Sequence, residues 1–438
     1  MKRLNSLLVV ALSALAFATL AHAAITPPPG FTALYNGRDL SGWRGGDTFD
    51  HRAWLALPEA ERTAKDAEWT ADLRQHWRAD GDELVNDGAG RYATTIKEYG
   101  DIELVLEYKT VAKADSGIYL RGCPQIQIWD TTDPEKFSIG GNLGSGGLWN
   151  NSPGAPGKDP RVKADRAFGE WNQFRIVMVG ARVSVWLNDQ KVVDHALLEN
   201  YFDRATPIPA RGPIQLQTHG GEIRWRNVFV REIGGEEANR LLAEHGDKTG
   251  FKAVFDGKTL AGWSGALENY EVINGAIVCR PGKGGTIYTR EEFGDFVARL
   301  EFKVPPAGNN GLAIRYPGRG DAAYQGMTEI QVLDDHYEKV SGKSLDPRQR
   351  HGSAYGLVAA AAGYQRPTGA WNYQEVTVQG STIKVELNGT VILNTDLAKV
   401  TTSLANRGHP GQSRPSGHFG FAGHNDPVAF RAVEIKRW

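Results

Sequence analysis

A chain of 438 residues with net charge −1, 41% hydrophobic and 23% charged residues has the balance of a globular protein. The near-zero charge and the lack of a long run of one sign exclude a basic nucleic-acid surface and a polybasic membrane patch. Twelve Trp and 52 Gly beside only two Cys point to a β-rich protein of many turns, with Cys123 and Cys279 read as packed free thiols in preference to an inter-domain disulfide.

Residues 1–23 read as an export signal. Lys2 and Arg3 precede an apolar run over 7–20, and Ala21, His22 and Ala23 form a small-x-small cleavage pattern. The run is short for a membrane span and no later stretch supplies one, so a periplasmic or secreted protein with no membrane insertion after cleavage is expected. Roughly 415 residues then remain, too many for one core and suited to two.

The chain repeats itself. Phe-x-x-Leu-Tyr-Asn-Gly-x-Asp-Leu-x-Gly-Trp over 31–43 returns as Phe-x-x-Val-Phe-Asp-Gly-x-Thr-Leu-x-Gly-Trp over 251–263. Ser-Gly-Ile-Tyr-Leu-Arg over 116–121 matches Asn-Gly-Leu-Ala-Ile-Arg over 310–315, Gln-Ile-Gln-Ile-Trp-Asp over 125–130 matches Glu-Ile-Gln-Val-Leu-Asp over 329–334, and His219 matches His424. The expected domains are 24–233 and 250–438, joined by a linker over 234–249. Within each, apolar residues recur mostly at every second position, as in Leu104, Leu106 and Tyr108, and Asn188-Asp189 and Asn388-Gly389 are hairpin turns. This predicts an all-β fold: two tandem jelly-roll β-sandwiches of the concanavalin/laminarinase type. Two helices interrupt it. One, over 58–76, sits in an insertion at about 47–76 in the first copy only; the other, over 236–245, ends at Gly246 in the linker.

Strand alternation sorts the polar residues onto faces. With Ile118, Leu120, Ile126 and Ile128 inward, Tyr119, Arg121, Gln125, Gln127 and Trp129 point outward, as do Gln215, Gln217 and His219 on a third strand. The second copy offers Arg315, Glu329, Gln331 and His424 at the matching places. Solvated sheet faces run to Lys, Glu and Thr, whereas amides, a guanidinium and aromatic rings suit sugar hydroxyls and the C–H face of a pyranose. The Gly- and Asn-rich stretch over 140–165 is long for a structureless loop, and Trp149 within it suggests a cover over a site.

Laminarinase-type retaining glycosidases carry Glu-x-Asp-x-x-Glu on such a strand. Here the segment over 329–334 has Gln and Asp at the second and third places, and the first copy has only Asp130, although a retaining mechanism needs two carboxyls about 5–5.5 Å apart. The set of motifs, taken together, resembles the 3-keto-disaccharide hydrolase family, also described as 3-keto-glucoside 1,2-lyases and 2-hydroxy-3-keto-glucal hydratases, across nearly the whole mature chain, twice. That resemblance implies an enzyme acting on an oligosaccharide or glycoside already oxidised at C3. A base removes the acidified C2 proton, the C1 substituent leaves by β-elimination, and water adds to the enone. On this reading His219 is base or acid, Asp130 its carboxylate partner or a metal ligand, and Arg121 the enolate stabiliser, with Gln125, Gln127 and Gln217 on hydroxyls. His424, Asp334, Arg315, Glu329 and Gln331 are the second copy's equivalents. A divalent metal ion fits the mix of Asp, Glu and His, and no organic cofactor is expected. The competing expectation is a pair of non-catalytic glycan-binding modules.

Overall fold

The computed structural model describes residues 25–438, so the expected export signal lies outside it. The chain forms two β-sandwiches in tandem. Each pairs an eight-stranded antiparallel sheet with a five-stranded one. In domain 1 the five-stranded sheet consists of β1 (Trp43–Gly46), β2 (Tyr92–Thr95), β3 (Ser116–Leu120), β4 (Cys123–Ile128) and β5 (Gln215–Leu216). Their spatial order is β1-β2-β5-β3-β4. Domain 2 repeats that order as β6-β7-β10-β8-β9, from β6 (Trp263–Gly265), β7 (Gly284–Phe293), β8 (Asn309–Tyr316), β9 (Thr328–Leu333) and β10 (Gly417–His424).

The core lies where the two sheets of each domain face each other. Leu104, Leu106 and Tyr108 of the large sheet meet Ile118, Ile126, Ile128 and Leu216 of the small one, all essentially inaccessible to water. Each such aliphatic contributes roughly 1.5–3 kcal/mol by leaving water. The repeated Gly-Trp motif supplies Trp43 and Trp263, whose indole N–H groups donate to the carbonyls of Leu34 (2.8 Å) and Val254 (2.9 Å). The hairpins at Asn188-Asp189 and Asn388-Gly389 have positive φ at both central positions, as a two-residue turn with the twist of its strands requires. Both cysteines are buried and free.

The copies differ most after their first Gly-Trp strand. Domain 2 passes from β6 to Tyr270 through four residues, while domain 1 inserts α1 (His51–Ala56) and α2 (Glu59–His76). Asp50 caps α1 by accepting from the Arg52 N–H, and α2 buries Trp69 and Leu73. The helix lies so close on β1 that a Cβ on Gly45 would come within 2.0 Å of the Trp69 carbonyl oxygen. Trp54 and Trp69 stack (5.4 Å), with the Arg44 guanidinium over Trp54.

The domains pack on each other. Helix α3 (Gly235–His245) places Ala238 and Leu242 among Val177, Val179, Ile233 and Tyr373. Around this apolar patch Arg182 makes a two-pronged pair with Glu386 (2.6 and 2.8 Å), Asp101 accepts from Arg366 (3.1 Å), and the Ala181 N–H donates to the Gly389 carbonyl. Among the described residues no helix is long and apolar enough to cross a membrane.

Candidate active site

The outward side chains of the small sheet in domain 1 form a hydrogen-bonded layer. Gln125 donates to Gln127, and Gln127 donates to Asp115 (2.8 Å). Gln217 reaches the Tyr119 hydroxyl (3.4 Å), which also bonds Thr48 (2.8 Å), and Gln215 donates to Thr94 (3.0 Å). Burial drives the Tyr119 phenol well above its usual range, so it stays neutral. These residues are nearly inaccessible: Gln125, Gln127, Gln215, Gln217 and Tyr119 expose 6% or less. The face expected to be an open groove is thus a buried polar layer. Among the described residues the side-chain oxygens of Gln215 and Gln217 have no hydrogen-bond partner.

One rim of this layer carries groups open to solvent. Asp115, on the turn leading into β3, gathers three side chains at once. One carboxylate oxygen accepts from Gln127; the other receives Lys136 Nζ at 3.0 Å and lies 3.2 Å from His219 Nδ1. The Asp115 side chain is 11% exposed, Lys136 32% and His219 60%. Lys136 is carried by a 3₁₀ turn, Pro134–Ile139, capped by Asp133. Its ammonium also faces the Trp129 ring, Trp129 packs edge-on against Trp149, and the Trp149 indole N–H donates to the Ile139 carbonyl (3.1 Å). Trp149 therefore braces the Lys136 turn. The arrangement offers an exposed imidazole backed by a carboxylate, with an ammonium 3.0 Å from that carboxylate: a proton-transfer group beside a fixed positive charge.

Three sequence assignments change. Asp130 does not meet His219. Its carboxylate accepts from the Lys113 N–H (2.7 Å) and from the N–H (2.8 Å) and hydroxyl (2.7 Å) of Thr132. Burial opposes its ionisation, but these donors outweigh it and hold the carboxyl below the usual carboxylate range. Asp334 repeats the device, accepting from Ala307 N–H, His336 N–H and Thr368, and Lys113 and Ala307 share a positive φ. Arg121 is not an enolate stabiliser at this rim. At about 3.3 Å per residue it sits roughly 20 Å along the chain from Asp115. Its positive φ of 54° turns it off the strand alternation, and its guanidinium is spent on Asp101 (3.0 Å) and the carbonyls of Gly100 and Pro209. Arg315 does the same with φ 48°, on Asp295 (2.7 Å) and the carbonyls of Gly294, Gly380 and Arg414. The residue types do not fit a divalent metal either. Among the described residues no group of three or more His, Cys, Asp or Glu is placed to hold one. At the rim the third position beside Asp115 and His219 is taken by a lysine.

Domain 2 lacks this constellation. Asn309 stands where Asp115 does and accepts from Gln331 (2.6 Å) as Asp115 does from Gln127. Strand register matches Tyr119, Gln215 and Gln217 to Ala313, Gly420 and Ala422. On these small residues sits α4 (Ala322–Gln325), its Ala322 packed with Ala313, Tyr316 and Ala422. Glu329 fills the space over Gly311, where a Cβ would come within 2.2 Å of its carboxyl. Burial and then Asp321 push its carboxyl up to about 8. Desolvation of the His424 ring lowers its basicity against the opposing pull of Asp321 and Asp426, and among the described residues it makes no ion pair of the kind that His219 makes with Asp115.

Residues 30–231 and 250–436 each match the 3-keto-alpha-glucoside-1,2-lyase-like domain family. The chain belongs to that family. A 3-keto-disaccharide hydrolase of Bacteroides thetaiotaomicron is 24% identical over 229 residues, spanning 43% of this chain and 79% of the relative. Among solved structures, a glycosyl hydrolase candidate of Parabacteroides distasonis is 22% identical over 43% of this chain and 94% of its own, with a TM-score of 0.37. A carbohydrate-binding module of Bacillus subtilis, 14% identical, covers 40% of this chain and 95% of its own at a TM-score of 0.27. Both copies match the family, and among the described residues the grouping of a carboxylate, a lysine and a histidine is seen at the rim of the first copy.

Asp115 and Lys136 were missed by the strand reading because both sit on turns, where alternation says nothing about direction. One signal was available: at the position before Ser116 and Asn310 the copies differ, Asp in one and Asn in the other.

Proposed function

We propose that domain 1 is a 3-keto-glycoside lyase and hydratase, exported from the cytoplasm, and that domain 2 does not catalyse. The observation that carries this is the Asp115–His219–Lys136 cluster, present in one copy and dismantled in the other. His219, the most exposed of the three, takes the C2 proton of a glycoside oxidised at C3. Electrons move onto the ketone oxygen, where Lys136 supplies the positive charge, and return to expel the C1 substituent as the C1–C2 double bond forms. The proton held by His219 passes to the leaving oxygen. Water then adds at C1 of the enone, completing a net hydrolysis. Asp115 orients the imidazole and stabilises its protonated form. No step needs a metal.

The test is incubation of the purified protein with a 3-keto-glucoside and, separately, with the unoxidised glucoside, following the released aglycone. Release from the keto-sugar alone, unaffected by chelator and abolished in His219→Ala, is expected. A wild-type protein that binds unoxidised glycan and never consumes the keto-sugar overturns the lyase reading in favour of glycan binding.

A further inference from the structure

Two features break the symmetry of the repeat, and they touch. One is the helical insertion of domain 1. The other is Tyr364 of domain 2, whose counterpart in domain 1 is Ala164: the backbone carbonyls of both accept from the hairpin residues Asn188 and Asn388 at 2.8 and 2.9 Å. The Tyr364 hydroxyl accepts from Arg52 Nη2 (2.8 Å) at the start of α1 and donates to the Ile208 carbonyl (2.9 Å). Arg52 in turn donates to the Pro207 carbonyl (2.6 Å) and to Thr206 (3.2 Å). One phenol of domain 2 thus ties together two separate segments of domain 1.

Both segments lead to the polar layer under the rim. Four residues before Arg52, Thr48 bonds the Tyr119 hydroxyl (2.8 Å) and lies 3.2 Å from that of Tyr92; Asp47 pairs with Arg91, and its carbonyl accepts from Gln215. His51 packs on Gly122 and approaches Glu98 at 3.0 Å. The second segment, 206–208, runs on to Gln215 itself. We infer that Tyr364 and Arg52 are positioning residues through which domain 2 holds the 47–56 segment and the segment leading to Gln215 against the polar layer, and so sets the substrate affinity of domain 1. A second domain without a working site of its own has, on this account, a function at the first.

This rests on the lyase reading for its kinetic half and not for its structural half, so the two are tested separately on the full chain. In Tyr364→Phe the ring stays and both hydrogen bonds go; Arg52→Ala removes the other partner. Backbone amide exchange over 47–56 and 206–215 is expected to rise in each variant, by a similar amount in the double variant, with the 309–333 region of domain 2 unchanged. KM for the 3-keto-glucoside is expected to rise on the order of tenfold, the scale of one hydrogen bond to a charged group, with kcat within about twofold. Exchange equal to wild type in both variants overturns the latch. Raised exchange with unchanged KM and kcat overturns its role at the site. If the wild type turns over no keto-sugar, the lyase reading fails, and the exchange measurement still decides the latch.

Discussion

Asp115 and Asn309 occupy the same place in the two domains, and the change from carboxylate to amide removes the anion that gathers His219 and Lys136. Asp115→Asn keeps the shape and the hydrogen bond from Gln127 while removing that charge. On the proposed chemistry it lowers kcat/KM on the order of 100-fold, the usual scale of general acid–base assistance. Its thermal midpoint stays close to wild type because the amide keeps the volume and the bond from Gln127, while Lys136 and His219, at 32% and 60% exposure, can turn to water. Loss of activity matched by loss of fold would deny Asp115 a chemical role. Glu329 makes a second prediction. Its folded pKa, about 8, lies above the ordinary glutamate value of 4.5. The group is then protonated in the fold and ionised in the unfolded chain between those values. Stability is full below about pH 4.5 and falls as pH rises toward 8, by a total on the order of a few kcal/mol. Glu329→Gln is expected to flatten that decline, so the variant gains on wild type at pH 8 and not at pH 4 in urea unfolding. A pH-independent difference would mean that the carboxyl ionises freely in the folded protein.

At the scale of elements, alternation made the strands legible and the turns opaque. Ile118, Leu120, Ile126 and Ile128 do enter the core, and the glutamines between them do face away. Arg121 escaped because a positive φ at the strand end is not visible in a hydrophobic pattern, and Asp130 because its carboxylate serves a turn. Both copies retain the two Arg anchors and the two Asp turns as scaffold, and both retain a histidine, at 219 and 424; on the proposed chemistry the difference that counts is Asp115 against Asn309. The insertion helix was readable from Pro58 and the helix formers after it, but its seat was not. That seat depends on Gly45, over which the Trp69 carbonyl passes. Gly45→Ala forces α2 off β1 and is expected to destabilise domain 1 by about 1–3 kcal/mol, as overpacking does. Gly234→Ala, where nothing lies within 4 Å, is the matched control in the same denaturant titration. Equal midpoints for the two variants would show that α2 is not seated on the strand.

At the scale of the molecule, the domain interface is head-to-tail, a kind that could in principle continue to a third copy. Domain 2 presents the corresponding anchor, with Asp295 bonded to Arg315 and to the Gly380 N–H as Asp101 is to Arg121 and the Gly180 N–H. The rest of its face differs: Thr377, Gln379 and Thr382 stand where Val177, Val179 and Arg182 make the apolar patch and the ion pair, so domain 2 does not repeat the surface that domain 1 offers at the junction. The pair Arg182–Glu386 that closes the existing junction is mostly shielded from water, at 21% and 10% exposure. Burial opposes ionisation of Glu386, but the hydrogen bonds and charge of Arg182 outweigh it and hold its pKa below the ordinary 4.5. Its contribution is therefore present above about pH 4.5 and is lost as pH falls through the lowered folded value. Glu386→Gln is expected to lower the calorimetric midpoint at pH 7 by an amount equivalent to about 1–3 kcal/mol, since it leaves Arg182 without its anion. That gap should close as the solution is acidified, because wild type then loses the same charge. A gap that stays constant down to pH 3 would show that Glu386 acts at the junction by packing alone.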